Sequence, residues 1–324
     1  MRRSVTGFWT AGLVFLAGLS LISAGCAPFL GGLIASSPNR INPLADTRTT
    51  LSPPARRVLG IDQQFRVKVP DPEASLAVSV IEPVDQDVPH GTILVVHGVW
   101  DESLWMLGTA KMLAEEGYRA VLVDLRGHGR SSGEWMSFGI QEAADLSHVI
   151  DALEERRLVE GAVGVWGISY GATTSIHLAG RDPRIKAVVA VAPFSNMRDV
   201  IPDYSRTILP GVGGLISDDL LQEAITEAGK QGNFDPDHAD AVAAIQSTDA
   251  PVLLLHGEED WMVSPYHSQR LHAAARDHSE LVKLPKIGHV AIWFDSANEV
   301  QSRTKAWFDR WLKPSEVALA DAAK

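Results

Sequence analysis

The stretch that decides the fold is residues 161–171, Gly-Ala-Val-Gly-Val-Trp-Gly-Ile-Ser-Tyr-Gly. Its apolar first part predicts a buried strand, and residues 172–179 after it predict a helix. A serine between two glycines at a strand-to-helix turn is typical of a nucleophile elbow, which lifts the serine hydroxyl above the sheet. Ser169 is therefore the candidate nucleophile. The alternative is that Ser169 only caps the helix.

The partners that a serine nucleophile needs follow later in the chain. A base must take the serine proton, and a carboxylate must orient that base. The apolar run 251–255 leads into His-Gly-Glu-Glu-Asp at 256–260, and a predicted strand at 281–284 is followed closely by Gly288 and His289. Loops at the carboxyl ends of parallel strands form the sites of open α/β sheets. This predicts His289 as the base and Asp260 as the acid, with Glu258 or Glu259 as alternative acids.

The run from about residue 91 to residue 312 resembles the α/β-hydrolase superfamily, in particular its esterase-like and serine-aminopeptidase-like members. The order Ser169, Asp260, His289 is the order of that family's catalytic triad. Residues 124–131, Asp-Leu-Arg-Gly-His-Gly-Arg-Ser, are similar to the family's D-x-R-G-x-G-x-S loop. We expect this loop to be architectural, with Asp124 and Arg126 paired.

The resemblance also implies where the oxyanion hole lies. One donor is the backbone N–H after the nucleophile, which here belongs to Tyr170. The other comes from the loop after the strand predicted at 92–96. We expect it to be the N–H of Val99, with that of Trp100 as the alternative.

Strand and helix patterns alternate along the chain. Residues 65–69 and 76–81 predict an antiparallel pair that opens the sheet. The alternation that follows predicts the α/β-hydrolase fold: a mainly parallel sheet with helices on both faces. Further strands are predicted at 92–96, 120–124, 163–167, 187–192, 252–255 and 281–284.

The alternation stops between residues 194 and 246, where the superfamily carries a cap. Apolar residues there predict a small, partly helical cap insertion over the site, and an irregular surface loop is the alternative. Trp100 and Trp261 adjoin the proposed hole and the proposed acid. We expect both to line an apolar substrate pocket, although packing between loops would also explain them.

The N-terminus predicts export. Arg2 and Arg3 precede an uncharged apolar run over 5–22, and Ser-Ala-Gly-Cys follows at 23–26. This is similar to a bacterial lipoprotein signal, in which Cys26, the chain's only cysteine, is lipidated. Ser23 stands where such signals usually have leucine. Plain secretory cleavage and a retained transmembrane anchor are the alternatives.

Composition narrows the class of protein. The chain has 324 residues, 45% of them hydrophobic, and a formal net charge of −11. An acidic chain without a basic patch is a poor partner for nucleic acid. No Cys/His spacing or glycine-rich loop predicts a metal or a dinucleotide, so we expect no cofactor and no metal site. The partner we expect is a small-molecule substrate; oligomeric state is left open.

These observations predict an exported serine hydrolase, held at a bacterial cell envelope, that cleaves carboxylic esters of small to medium apolar substrates. The alternatives are an aminopeptidase or amidase, an acyltransferase, and a binding protein without catalysis on the same fold. The predicted parts are a signal peptide at 1–25, a tether at 26–59, the hydrolase domain at 60–315 with the cap at 194–246, and a tail at 316–324.

Overall fold

The computed structural model describes residues 26–42, 50–85, 88–208, 213–293 and 297–313. The predicted signal peptide at 1–25 and tail at 316–324 lie outside these ranges. So do residues 43–49 of the predicted tether and residues 209–212 of the predicted cap.

Eight strands form one sheet with the order β1-β2-β4-β3-β5-β6-β7-β8. The β1–β2 and β2–β4 pairs are antiparallel, and all the other pairs are parallel. Each strand overlaps one of the predicted runs. The inner strands are buried on both faces and have near-continuous apolar sequences, whereas the first and last strands of the sheet are partly exposed. The strands are β1 (Gln63–Val69), β2 (Ala74–Ile81), β3 (Gly91–Val96), β4 (Arg119–Val123), β5 (Ala162–Ile168), β6 (Ile185–Val191), β7 (Val252–Gly257) and β8 (Ser279–Leu284).

Helices cover both faces of the sheet and create two apolar cores. Leu94 and Val96 of β3 point into one core, and Ile93 and Val95 point into the other, as the two-residue period of a strand requires. The described helices are α1 (residues 26–35), α2 (Pro38–Ile41), α3 (Pro53–Leu59), α4 (Leu107–Glu115), α5 (Ile140–Glu155), α6 (Tyr170–Arg181), α7 (Met197–Ile208), α8 (Asp218–Gly232), α9 (Ala241–Gln246), α10 (Tyr266–Ala274) and α11 (Ala297–Leu312).

The insertion between β6 and β7 is largely helical, as expected for a cap. It consists mainly of α7 and α8, which contact each other, whereas α9 packs against α6 of the main domain. The Ser217 side chain caps α8 by accepting a hydrogen bond from the N–H of Leu220. Leu221 and Ile225 on the inner face of α8 are buried.

The N-terminal segment differs from the predicted tether. Residues 26–42 form α1, a short connection and α2, and they pack on the body of the protein. Ser36 forms an isolated antiparallel bridge with Trp135, and the Ser37 N–H donates to the carbonyl of Glu134 at 3.0 Å. The prediction of a tether failed because proline and glycine interrupt the apolar pattern of this segment. Its apolar residues pack against parts of the chain that are distant in sequence.

The loop after β4 is architectural, but its predicted ion pair is wrong. Arg126 forms a bidentate pair with Asp145 of α5, with N–O distances of 2.7 and 2.6 Å. Asp124 instead accepts backbone N–H groups of Ser103 and Arg130, at 2.6 and 2.8 Å. The pair forms with α5 because both side chains are buried there and each satisfies the other's charge.

Candidate active site

Ser169 occupies the turn between β5 and α6, in the strained backbone that an elbow requires. Its φ of 51° and ψ of −115° lie where non-glycine residues are rare. The Ser169 N–H donates to the carbonyl of Val191 on β6 at 2.7 Å, which holds the turn against the sheet. Such strained positions persist at functional sites when the surrounding structure fixes them.

The two flanking glycines are required by close backbone contacts. A Cβ atom at Gly167 would lie 2.3 Å from the carbonyl oxygen of Gly171. A Cβ atom at Gly171 would lie 2.4 Å from the carbonyl oxygen of His97. Any side chain at Gly167 would therefore push β5 away from the start of α6, and any side chain at Gly171 would push α6 away from the end of β3.

Ser169, His289 and Asp260 are joined by a continuous chain of hydrogen bonds. The Nε2 atom of His289 is 3.0 Å from Ser169 Oγ, and its Nδ1 atom is 2.6 Å from Asp260 Oδ2. A carboxylate can only accept, so the Nδ1–H donates to Asp260 and Nε2 is free to accept the serine proton. Glu258 and Glu259 are exposed, whereas Asp260 is buried.

The second oxygen of Asp260 is fixed by the backbone. Asp260 Oδ1 accepts the N–H groups of Met262 and Val263 at 3.0 and 2.8 Å. Burial alone would raise the pKa of Asp260, but hydrogen bonds from His256 and His289 outweigh it and hold the pKa well below its usual value. The carboxylate is thus ionised and oriented before any substrate binds.

The loop after β3 passes directly beside Ser169. A Cβ atom at Gly98 would lie 3.7 Å from the Cβ of Ser169. His97 braces this loop: its Nδ1–H donates to the carbonyl of Gly98 at 2.7 Å, and its Nε2 accepts the N–H of Leu125 at 3.0 Å. Tyr170 is the first residue of α6, so its N–H lies in the turn that has no intrahelical acceptor. Val99 follows Gly98 in this loop, and Tyr170 follows Ser169 at the start of α6.

An apolar cavity of about 290 Å³ opens beside these groups. Val99, Trp100 and Tyr170 line it on the side of the elbow, together with Met136 and Phe138. The cap contributes Ile201, Tyr204, Ile216 and Leu221, and α1 contributes Leu30, Leu33 and Ile34. The volume is close to the lower end of the range for ligand pockets, roughly 300–1,000 Å³.

Tyr204 of α7 brings a polar group into this apolar site. Its hydroxyl is buried and has no hydrogen-bond partner of good geometry among the described residues. Burial raises the pKa of Tyr204 well above its ordinary value, and the nearby Ser169 hydroxyl lowers it only in part. The Tyr204 hydroxyl is therefore neutral, and it lies near the Ser169 hydroxyl.

The two predicted pocket tryptophans have different positions. Trp100 lines the cavity at its mouth, with 59% of its surface exposed. Trp261 does not line the cavity; it packs near Gly288, next to His289, and its neighbour Met262 lines the cavity instead. Its carbonyl accepts a hydrogen bond from Thr207 of the cap at 3.1 Å.

Sequence reasoning missed Tyr204 and α1. No spacing in the sequence marks Tyr204, because only the fold of the cap brings it to the elbow. For α1 a signal existed: Ala27, Leu30, Gly31, Ile34 and Ala35 recur with the period of an amphipathic helix. Within the described ranges, no group of three or more His, Cys, Asp or Glu side chains is arranged to bind a metal ion.

Fold and site define the class of protein. The sheet, the elbow and the cap are those of the α/β-hydrolase fold. The model of the X-Pro dipeptidyl-peptidase (S15 family) matches residues 73–235, half of the chain. The chain belongs to this family.

Curated relatives of the chain include proteins named as an esterase and as a dipeptidyl-peptidase. The uncharacterized protein YqkD of Bacillus subtilis (strain 168) is 28% identical over 192 residues, which cover 59% of this chain and 61% of YqkD. The chain thus spans about three fifths of the length of the curated relatives it matches.

Solved structures agree on the fold. An esterase of Pyrococcus furiosus has a TM-score of 0.63 at 20% identity, over 79% of this chain and 94% of its own. The acylaminoacyl peptidase of Pyrococcus horikoshii has a TM-score of 0.59 at 20% identity, over 78% of this chain and 42% of its own. These likenesses confirm the predicted fold class and leave the scissile bond open.

Proposed function

We propose that the protein is a serine hydrolase that cleaves carboxylic esters with a small or medium apolar acyl group. The observation that carries this proposal is the hydrogen-bonded Ser169–His289–Asp260 triad beside a cavity lined by apolar side chains. A triad of this type performs acyl transfer, and an apolar cavity binds an apolar acyl group.

The proposed reaction passes through an acyl-enzyme. Ser169 Oγ attacks the ester carbonyl while His289 Nε2 takes its proton, and Asp260 stabilises the imidazolium that forms. The backbone N–H groups of Val99 and Tyr170 hold the oxyanion. His289 then gives its proton to the departing alkoxide, the carbon–oxygen bond breaks, and the alcohol leaves. Water, deprotonated by the same histidine, releases the acid and restores Ser169.

We assign Tyr204 a part in the same step. Its neutral hydroxyl lies near the Ser169 hydroxyl and has a hydrogen to donate. A donor that is desolvated and unpaired before the reaction costs nothing to reorient when charge develops on the substrate oxygen. Tyr204 would thus add a hydrogen bond to an oxygen of the tetrahedral intermediate.

A peptidase is the second candidate, because the family model is that of a dipeptidyl-peptidase. An enzyme that removes residues from a peptide N-terminus must bind a free ammonium group, and a buried charge needs an opposite charge beside it. No acidic side chain is among the described residues that line the cavity. This favours an ester over a peptide as the substrate. Activity measurements would distinguish a hydrolase from an acyltransferase or from a non-catalytic binding protein.

We also propose that the protein is a lipoprotein of a bacterial cell envelope, attached through Cys26. The support is the sequence alone: a basic start, an apolar run and a single cysteine after it. Within the described residues, no helix has both the length and the apolar character needed to cross a bilayer.

The decisive experiment combines labelling with a substrate panel. A fluorophosphonate should label the wild type and should not label Ser169→Ala. The wild type should hydrolyse p-nitrophenyl esters faster than aminoacyl anilides, and Ser169→Ala should lose about 10⁴- to 10⁶-fold in kcat. Circular dichroism of both proteins controls for folding. Labelling together with faster anilide than ester cleavage would transfer the function to peptides, and an unlabelled wild type would overturn the nucleophile.

A further inference from the structure

Helix α1 presents one apolar face to the rest of the protein. Ala27 and Ala35 are fully buried, and Leu30 and Ile34 between them are half-buried. These positions follow the three- and four-residue spacing of a helix that packs on one side. The opposite face carries Phe29, which is 67% exposed. The helix is therefore seated in a defined orientation.

Gly31 sets how closely α1 approaches the cap. A Cβ atom there would lie 2.7 Å from both the carbonyl oxygen of Ala224 and the backbone nitrogen of Ala228, both in α8. Backbone atoms in the middle of a helix cannot move aside, so any side chain at Gly31 must push α1 away. A hydrogen bond from Gln231 Nε2 to the carbonyl of Pro28, 2.7 Å long, ties the start of α1 to the same helix.

The residues after α1 fasten its other end. The N–H of Met136 donates to the carbonyl of Ala35 at 2.7 Å, and the Asn39 side chain donates to the carbonyl of Ser131 at 2.8 Å. The Arg40 guanidinium lies 3.7 Å above the ring of Trp135. Fixed at both ends, α1 is part of the folded domain.

The face between these two attachments closes the cavity beside Ser169. Leu30 and Ile34 line it from α1, and Leu33, 51% exposed, lies at its mouth. Val99 of the proposed oxyanion hole and Leu221 of α8 line the same cavity. Helix α1 thus faces the space where an acyl group would extend from Ser169.

We infer that α1 is the specificity-determining wall of the acyl site. The close packing of α1 on α8 at Gly31 sets how long an acyl chain the enzyme accepts. The inference rests on the proposed function and deepens it. A wall held at both ends gives each added methylene a surface to contact until the cavity is full. Each methylene removed from water is worth about 0.8 kcal/mol, which corresponds to about fourfold in kcat/KM.

A matched pair of glycine substitutions in the full chain tests this. Gly31→Ala meets the backbone of α8, whereas at Gly32 a Cβ atom would meet only the side-chain amide of Gln231, at 3.0 Å. Both changes raise the helix propensity of α1 by the same amount. A difference between the two variants therefore comes from how α1 packs on α8. The measurement is kcat/KM for p-nitrophenyl acetate, butyrate, hexanoate and octanoate.

In Gly31→Ala, α1 is pushed away from α8 and the wall recedes, so the ratio of octanoate to butyrate kcat/KM should rise, by up to about fourfold for each methylene group that the larger cavity can newly enclose. The same ratio in Gly32→Ala should equal that of the wild type. Identical chain-length profiles in the wild type and Gly31→Ala, with both folded, would overturn the role of α1. A wild type that reacts with a fluorophosphonate but hydrolyses none of these esters would instead refute the proposed function.

A second variant covers the case in which Gly31→Ala does not fold. Replacing Leu30 and Ile34 together by Ala keeps Gly31 on α8 and removes bulk from the wall, which enlarges the cavity. The chain length with the highest kcat/KM should then move to longer esters. If the double variant kept the wild-type optimum of chain length, α1 would not limit the acyl site, whatever the effect of its packing on α8.

Discussion

At the scale of single residues, the site depends on groups that are fixed before substrate arrives. A hydrogen bond from the Ser169 N–H to β6 holds the strained backbone of the elbow in place. Two backbone N–H groups and two histidines fix the Asp260 carboxylate. Groups that need not reorganise during the reaction stabilise developing charge most effectively. Tyr204 is the exception to full pairing, since its buried hydroxyl has no partner among the described residues.

Replacing Tyr204 by Phe should lower kcat by roughly 10²-fold with little change in KM, because the hydrogen bond that it removes is made only in the transition state. Steady-state kinetics on p-nitrophenyl butyrate measures both constants. Tyr266→Phe is the matched control, since Tyr266 is 60% exposed and should keep wild-type constants. A rise in KM at unchanged kcat would mean that Tyr204 only binds substrate.

How far the sequence predicts these residues depends on how local their signals are. Ser169, Asp260 and His289 each closely follow an apolar run, so strand ends indicate the loops that carry them but leave Glu258 and Glu259 as alternative acids. Tyr204 has no such marker, because its position depends on how α7 folds back over the elbow. Trp261 has the right offset, but its side chain lies beside Gly288 and does not line the cavity.

At the scale of elements, the loop after β4 links the catalytic edge to the N-terminal segment. Its residue His128 is fully buried; its Nδ1–H donates to the carbonyl of Arg126 at 2.8 Å, and its Nε2 has no partner among the described residues. Burial, with a smaller contribution from His97, lowers the pKa of His128 from 6.5 to about 3. His128 is therefore neutral in the folded protein throughout the neutral range.

This makes folding stability depend on pH in a defined direction. The unfolded chain protonates His128 near pH 6.5 and the folded protein only near pH 3, so unfolding takes up a proton between these values. Stability from this group is present above pH 6.5 and is lost as the pH falls toward 3, with a slope of up to about 1.4 kcal/mol per pH unit.

Urea unfolding at pH 7.5, 6 and 5 measures that dependence. His128→Gln, which cannot titrate, should show a smaller decrease in the free energy of unfolding between pH 7.5 and 5 than the wild type. His238→Gln is the control, because the His238 side chain is 78% exposed. Parallel decreases in His128→Gln and the wild type would show that another group carries the pH dependence.

The strands and the cap were predictable as elements, whereas the apolar period was the one sequence signal for α1. Strands of a parallel sheet are apolar on both faces, so their sequences are unmistakable. α1 is short, has two adjacent glycines, and is stabilised by contacts with α8 and residues 134–136, which are distant in sequence. Its helix is a consequence of tertiary packing, and propensity alone gives little reason for it.

At the scale of the whole molecule, the proposed attachment site and the proposed acyl site share one helix. Cys26 is the first described residue of α1, and Leu30 is one turn further on. Leu33 and Trp100 line the cavity and are both more than half exposed. Attachment at Cys26 would hold the cavity mouth close to the lipid surface, where apolar esters concentrate.

The full chain expressed in a bacterial host should carry lipid on Cys26. Mass spectrometry of the N-terminal peptide should find a chain that begins at Cys26 with several acyl groups, because one acyl chain gives only marginal membrane binding. Cys26→Ser should lack the modification and keep residues 1–25, since lipidation precedes cleavage in such signals. An unmodified Cys26 in a chain that begins at Met1 would establish a retained anchor. Cleavage near Cys26 without lipid would mean plain secretion, and the enzyme would then act on esters in solution.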